Sequence, residues 1–214
     1  MKFDVTYYPE KEEKLNVLSH GLGVVLSVVA FPFLVLKALE TKDDLVVLSF
    51  IIYGLSMIIL YTASTLYHSA VNKKIRFYLN IVDHSAIYVL IAGTYAPFAL
   101  VVLQGTTGWM IFGISWLLAV IGVFYKLYFI GKYQVLSVVT YVLMGWMVIF
   151  VIEPLLDNLS TEGMQLLLAG GGSYSIGALF YVLPKLPFNH AIFHVFVLLG
   201  SLCHFITIYC FMLT

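Results

Sequence analysis

The sequence predicts an all-α integral membrane protein, a bundle of seven transmembrane helices forming one domain over residues 1–214. Three observations carry this prediction: an excess of apolar residues, charge-free stretches of membrane length, and a one-sided distribution of basic residues. Charged residues make up 10% of the chain, against about 25% in ordinary soluble domains. Apolar residues reach 62% and the mean hydropathy is +1.00. A soluble fold of 214 residues could not hide that much apolar surface and still present a wettable exterior. The net charge is zero, so there is no electrostatic footprint for a nucleic-acid partner.

A bilayer core needs about 20 apolar residues in helix. Residues 15–36, 45–72, 84–125, 133–152, 163–184 and 186–214 contain no Asp, Glu, Lys or Arg. The stretch 84–125 is long enough for two helices, and Gln104-Gly105-Thr106-Thr107-Gly108 marks the turn between them. The expected spans are 15–38, 45–69, 79–103, 108–127, 134–153, 163–183 and 189–212. Pro32 and Pro97 fall inside spans, where kinks are expected. Gly170-Gly171-Gly172-Ser173 and Ser175-Ile176-Gly177 in the sixth span read as a small-residue packing face. Connections are short, so no linker or second domain is expected. The two cysteines, Cys203 and Cys210, share one apolar segment and read as packing residues rather than a disulfide framework. The polar start, MKFDVTYYPEKEEK, does not read as a secretory signal.

Orientation follows from the basic residues. The N-terminus and the second, fourth and sixth loops hold Lys2, Lys11, Lys14, Lys73, Lys74, Arg76, Lys126, Lys132 and Lys185; the other side holds only Lys37 and Lys42. Nine against two puts the N-terminus in the cytoplasm and the C-terminus outside. The acidic loop Glu153–Glu162 suits the outer face.

Ionisable groups inside spans are costly and mark function by default. Glu13, Asn16 and His20 open span one, His68 ends span two, Asp83 and His84 open span three, and His190 and His194 open span seven. On the predicted topology all of them meet at the cytoplasmic level. His190 and His194 are four residues apart, which places them on one helix face about 6 Å apart along the axis. Such a pair suits a metal ion or two independent packing histidines. His68 at the same depth adds a third nitrogen, and three histidines with one open position is the ligand count of catalytic zinc. Asp83 is either a partner of a metal-bound water or a helix N-terminal acid held by the helix dipole. His84 points about 100° away from it, so the two are not expected to face one site. Ser64 shares the face of His68 and either serves a ligand or back-bonds to its own helix. His204, about 15 Å deeper than His194, lies too far for the same metal. His20 either reaches the cluster or braces spans.

These segments resemble a known family. Glu13-x-x-Asn16-x-x-x-His20, Ser64-x-x-x-His68, Asp83, Gly93-Thr94-Tyr95-Ala96-Pro97-Phe98, and His190-x-x-x-His194 followed by His204 are similar, in order, to the motifs of the hemolysin III group of the progestin and adipoQ receptor family. The likeness covers residues 10–210 or so, and the short chain looks like the bacterial branch. It implies seven spans with a cytoplasmic N-terminus, zinc (Zn2+) held by His68, His190 and His194, Asp83 on the zinc-bound water and Ser64 beside the site.

Three functions are expected to compete. The first is a zinc hydrolase of a lipid amide or ester in the plasma (inner) membrane, with Asp83 and Ser64 as catalytic residues and membrane lipid as partner; the resemblance extends to alkaline ceramidases. The second is a pore-forming, cytolytic protein. The third is a sensor or membrane-homeostasis protein with zinc as a structural clamp between spans two and seven.

Overall fold

The computed structural model describes residues 5–183 and 185–213; Lys2, one of the basic residues counted above, lies outside them. The described residues are all-helical, without a strand. The helices are α1 (Glu10–Glu40), α2 (Asp44–Ser69), α3 (Lys73–Pro97), α4 (Gly105–Phe129), α5 (Gln134–Gly145), α6 (Ile152–Asn158), α7 (Thr161–Tyr181) and α8 (Asn189–Phe211). A π-helical stretch, Phe98–Leu103, extends α3, and a 3-10 stretch, Trp146–Val151, joins α5 to α6. Six rods among the described residues are long and apolar enough to cross a membrane: α1, α2, Lys73–Leu103, α4, Gln134–Asn158 and α8. The segment of the predicted sixth span is helical, as α7, 21 residues long, but its polar start and Gly170–Gly172 run make it less apolar than these six.

Local chemistry sets the helix starts. The Asp43 side chain accepts from the Leu45 and Val46 amides, Asn72 from Lys74 and Ile75, and Ser160 from Gly163, each satisfying first-turn donors. α8 has no such cap of its own. Glu12 of α1 supplies it from across the bundle, accepting the His190 amide at 3.1 Å.

Helix α1 packs on α2, α2 on α3, α3 on α4 and α7 on α8, and α8 returns to α1. The α5–α6 rod touches α3 and α7 more sparsely. On α2 the buried residues Phe50, Tyr53, Met57, Tyr61, Ser64 and His68 recur every three or four positions, which is one helix face. The outward faces are apolar too: Leu18, Val25 and Leu36 of α1 and Leu117, Ile121 and Phe124 of α4 are exposed. That inside-out pattern is what a lipid solvent permits. Close approach depends on small residues. A Cβ on Gly93 would lie 2.3 Å from Ser56 Oγ, and one on Gly170 would lie 2.3 Å from the His204 ring. Gly172 faces open space, so the expected small-residue face of α7 runs through Gly170 and Gly177 but not Gly172.

Three expectations change. The fifth span is not one helix. The Tyr95 hydroxyl enters its ladder, accepting from the Val148 amide at 2.9 Å and facing the Gly145 carbonyl at 2.7 Å. The chain passes through a 3-10 stretch over Trp146–Val151, and Pro154 follows in the first turn of α6, where its missing N–H costs no intrahelical bond. Pro97 ends α3 in a wider π turn, where the Gln104 amide donates to Ala99 five residues back at 3.0 Å. Pro32 instead sits inside an uninterrupted α1. The turn expected over 104–108 is shorter, because Gln104 and Gly105 both take positive φ and α4 begins at once.

Candidate metal centre

The three histidines predicted to bind metal come together. Their ligand atoms lie within 4.8 Å of one another, and all three side chains are buried. His68 Nε2 is 3.1 Å from His190 Nε2, which is 3.0 Å from His194 Nε2. The opposite nitrogens face protein partners. His68 Nδ1 meets the Glu13 carboxylate at 2.7 Å. His190 Nδ1 meets the Tyr8 hydroxyl at 3.0 Å. His194 Nδ1 meets Ser19 Oγ at 3.2 Å and the Asn16 carbonyl at 3.3 Å.

These contacts test whether the residues fit a metal. A carboxylate accepts only, so the His68 proton belongs on Nδ1. Ser19 donates to the Asn16 carbonyl, so both groups are left to accept from His194 Nδ1. Neutral His68 and His194 therefore each aim an Nε2 lone pair at His190 Nε2, which can offer at most one proton. At least one pair of acceptors is left face to face, and a cation resolves the conflict. A tetrahedral zinc with bonds near 2.0–2.1 Å would set its nitrogens about 3.3 Å apart, close to the separations seen. The set is all imidazole, which suits zinc and several other first-row metals.

Several residues that build this arrangement had no assigned role in the sequence. Arg76, counted there as a loop cation, is 1% exposed. Its guanidinium pairs with Glu13 and donates to the carbonyls of Tyr67, His68 and Ala70, capping the carboxyl end of α2. Its Nε donates to the Thr6 carbonyl at 2.9 Å. Arg76 thus fixes the helix end that bears His68 and the carboxylate that orients its ring, a typical second layer of a histidine metal site. Tyr8 stacks on His190 with ring centroids 4.4 Å apart. Burial pushes its phenol above the ordinary tyrosine range, so it stays neutral there. The Tyr8 amide donates to Glu13 at 3.1 Å, tying the segment before α1 across the site. Glu13 and Asn16 lie three residues apart, a spacing that puts both on one helix face; nothing local marks Tyr8 or Arg76.

Asp83 is not a helix N-terminal acid. Helix α3 begins at Lys73, so Asp83 lies nearly three turns inside it, beyond the reach of the terminal dipole. It is 7% exposed and lies on a cavity wall with Ser64, His190 and His194. Ser64 is not back-bonded; its buried Oγ faces the Asp83 carboxylate. Contrary to the expectation from helix geometry, His84 lines the same cavity as Asp83. Its Nδ1 bonds the Asn80 carbonyl at 2.9 Å and approaches Asp83 at 3.8 Å, while Nε2 meets Tyr181 at 3.3 Å. The ring curls back along its own helix, which undoes the angular separation. His20 does reach the cluster, stacked flat on His194. His204 is separate: its Nε2 faces the Leu167 carbonyl at 3.2 Å. Lys126, another expected loop cation, is buried with Nζ 2.6 Å from Ser137 Oγ.

The cavity runs from the histidines between α3, α5, α7 and α8 to His204, walled by aliphatic and aromatic side chains such as Leu90, Tyr95, Val148 and Val197.

The Haemolysin-III related family model matches residues 8–205. The chain belongs to that family. Hemolysin-3 of Bacillus cereus is 47% identical over 191 residues, covering 89% of this chain and 87% of that protein. The Hemolysin-3 homolog of Bacillus subtilis (strain 168) is 46% identical over 202 residues, covering 94% and 95%. The human Monocyte to macrophage differentiation factor is 32% identical over 168 residues, covering 74% and 68%. These relatives place the chain in the hemolysin III group of the progestin and adipoQ receptor family. This hemolysin III protein is therefore a multi-pass membrane protein with a buried histidine cluster able to hold a metal.

Proposed function

We propose that this hemolysin III protein is a zinc-dependent hydrolase of an amide or ester bond in an acyl lipid. The observation that carries the proposal is the convergence of three histidine Nε2 atoms at the polar end of an apolar cavity. When bound, zinc acidifies a coordinated water and polarises a carbonyl. The chain's own residues divide the remaining work. His68, Glu13 and Arg76 keep one imidazole fixed. Asp83 stands on the wall to accept a proton, and the Ser64 hydroxyl beside it can turn to donate to a carbonyl oxygen as charge develops there. The apolar walls take the acyl chain, and α8 runs about 15 Å between His194 and His204.

The same reading completes the topology. With α7 counted as the sixth of seven spans, the nine-to-two basic bias places the N-terminus and the histidine end on the cytoplasmic side of the plasma (inner) membrane, and the C-terminus outside. Tight packing of α7 on α8 through Gly170 and Gly177 supports α7 as a full member of the bundle. The names of the Bacillus relatives suggest cytolysis, but the apolar cavity walls favour an acyl chain over an aqueous pore.

The test is release of fatty acid from a panel of acyl amides and esters by purified, zinc-loaded protein. Asp83→Asn is expected to keep zinc and lose release. Zinc-loaded protein that releases nothing from any member of the panel sinks the proposal and leaves zinc as a structural clamp.

A further inference from the structure

His20 is 3% exposed, and neither ring nitrogen makes a well-formed hydrogen bond; the nearest acceptor is the His194 backbone carbonyl. Neutral imidazole always carries one N–H and one lone pair, so neither is fully met in the buried ring. Native proteins rarely tolerate this without a reason. The ring lies flat on His194, with centroids 3.5 Å apart and planes at 4°, and meets the Tyr61 ring edge-on at 5.1 Å. It also lines the cavity beside Ser64 and Asp83. It is not one of the three convergent ligands. As a spacer, any flat ring would stack as well on His194; the nitrogens matter only if something in the cavity bonds to them. In an apolar cavity the group that brings a hydrogen bond to this end is the head of an acyl chain. Its carbonyl oxygen is an acceptor in amides and esters alike.

We infer that His20 is a substrate-binding residue whose ring N–H donates to the carbonyl oxygen of the scissile acyl group. This rests on the acyl-lipid reading of the cavity. His20 lies one ring thickness from the ligand His194, so it would hold the carbonyl next to the metal position. Ser64, which faces Asp83 on this wall, is a second hydrogen-bonding group there.

The experiment uses full-length protein stripped of metal with a chelator, so turnover plays no part. The probe is a 16-carbon fatty amide labelled with 13C at its carbonyl, read by binding affinity and by the carbonyl stretch in the infrared. His20→Phe, which keeps the stacking and removes the nitrogens, is expected to weaken binding about tenfold and move the bound carbonyl to higher frequency. His20→Leu is expected to do the same, so the result does not hang on one variant folding. His20→Gln, which restores an N–H, is expected to recover most of both signals. Zinc uptake should be unchanged in all three. Affinity within twofold of wild type and an unmoved carbonyl band in the Phe and Leu variants overturn the inference while leaving the hydrolase reading intact. Wild-type protein that does not bind the amide at all overturns both.

Discussion

Two places in the bundle break the apolar, regular pattern of membrane helices, and they do so in opposite ways. At Tyr95 a hydroxyl enters the α5 ladder and is satisfied there, accepting from Val148 and facing the Gly145 and Met144 carbonyls. At the histidine end the outer nitrogens are satisfied, but the inner ones face each other, and His20 makes no well-formed hydrogen bond. Both places are buried polar networks in a medium without water to complete them. The first closes on itself and is a joint in the scaffold. The second is complete only with something added. Unmet, convergent polar groups rather than polarity itself distinguish a site from a structural joint.

The contrast can be broken by mutation. The largest effect is expected for His190→Ala, which removes the nitrogen between the other two; stoichiometric zinc should be lost by metal analysis of the purified protein. Zinc retained at one per chain would mean that the three nitrogens are not the ligand set. Glu13→Gln should come next, weakening zinc by about 10–100-fold, as loss of an orienting partner does, with helical content unchanged. A competition titration with a zinc chelator reads this directly. Tyr95→Phe should act on the scaffold alone. It strands the Val148 amide and should cost about 1–3 kcal/mol of stability, seen as a lower Tm with zinc affinity unaltered; a change in zinc affinity would show that the two regions are coupled. Smallest is the pair on α7. Gly170→Ala must displace the His204 ring and should lower Tm, whereas Gly172→Ala meets open space and should leave Tm unchanged or slightly raised.

Much of the centre was legible because it repeats at helical spacing. His190 with His194 and Ser64 with His68 are four residues apart, and a helix puts such pairs on one face whatever surrounds them. The layer behind them was not legible. Tyr8 and His190 are 182 positions apart, and Arg76 and Glu13 are 63 apart; no local pattern announces contacts of that range. Arg76 was misplaced for a physical reason: a cation next to a predicted span reads as a loop residue, but α3 begins three residues before it and folds it inward. The same early start moved Asp83 from a helix terminus to a cavity wall.

By itself the sequence determined the class of protein, the positions of the long helices and the faces that carry histidine. Those follow from hydropathy and from the 3.6-residue period, which act within one segment. Only the tertiary structure decided which nitrogen of each histidine points inward, that Glu13 and Arg76 hold one of them, and that His84 and Asp83 share a wall. Those outcomes depend on how α1, α2, α3 and α8 pack side by side, and packing is settled by the fit of side chains from distant segments.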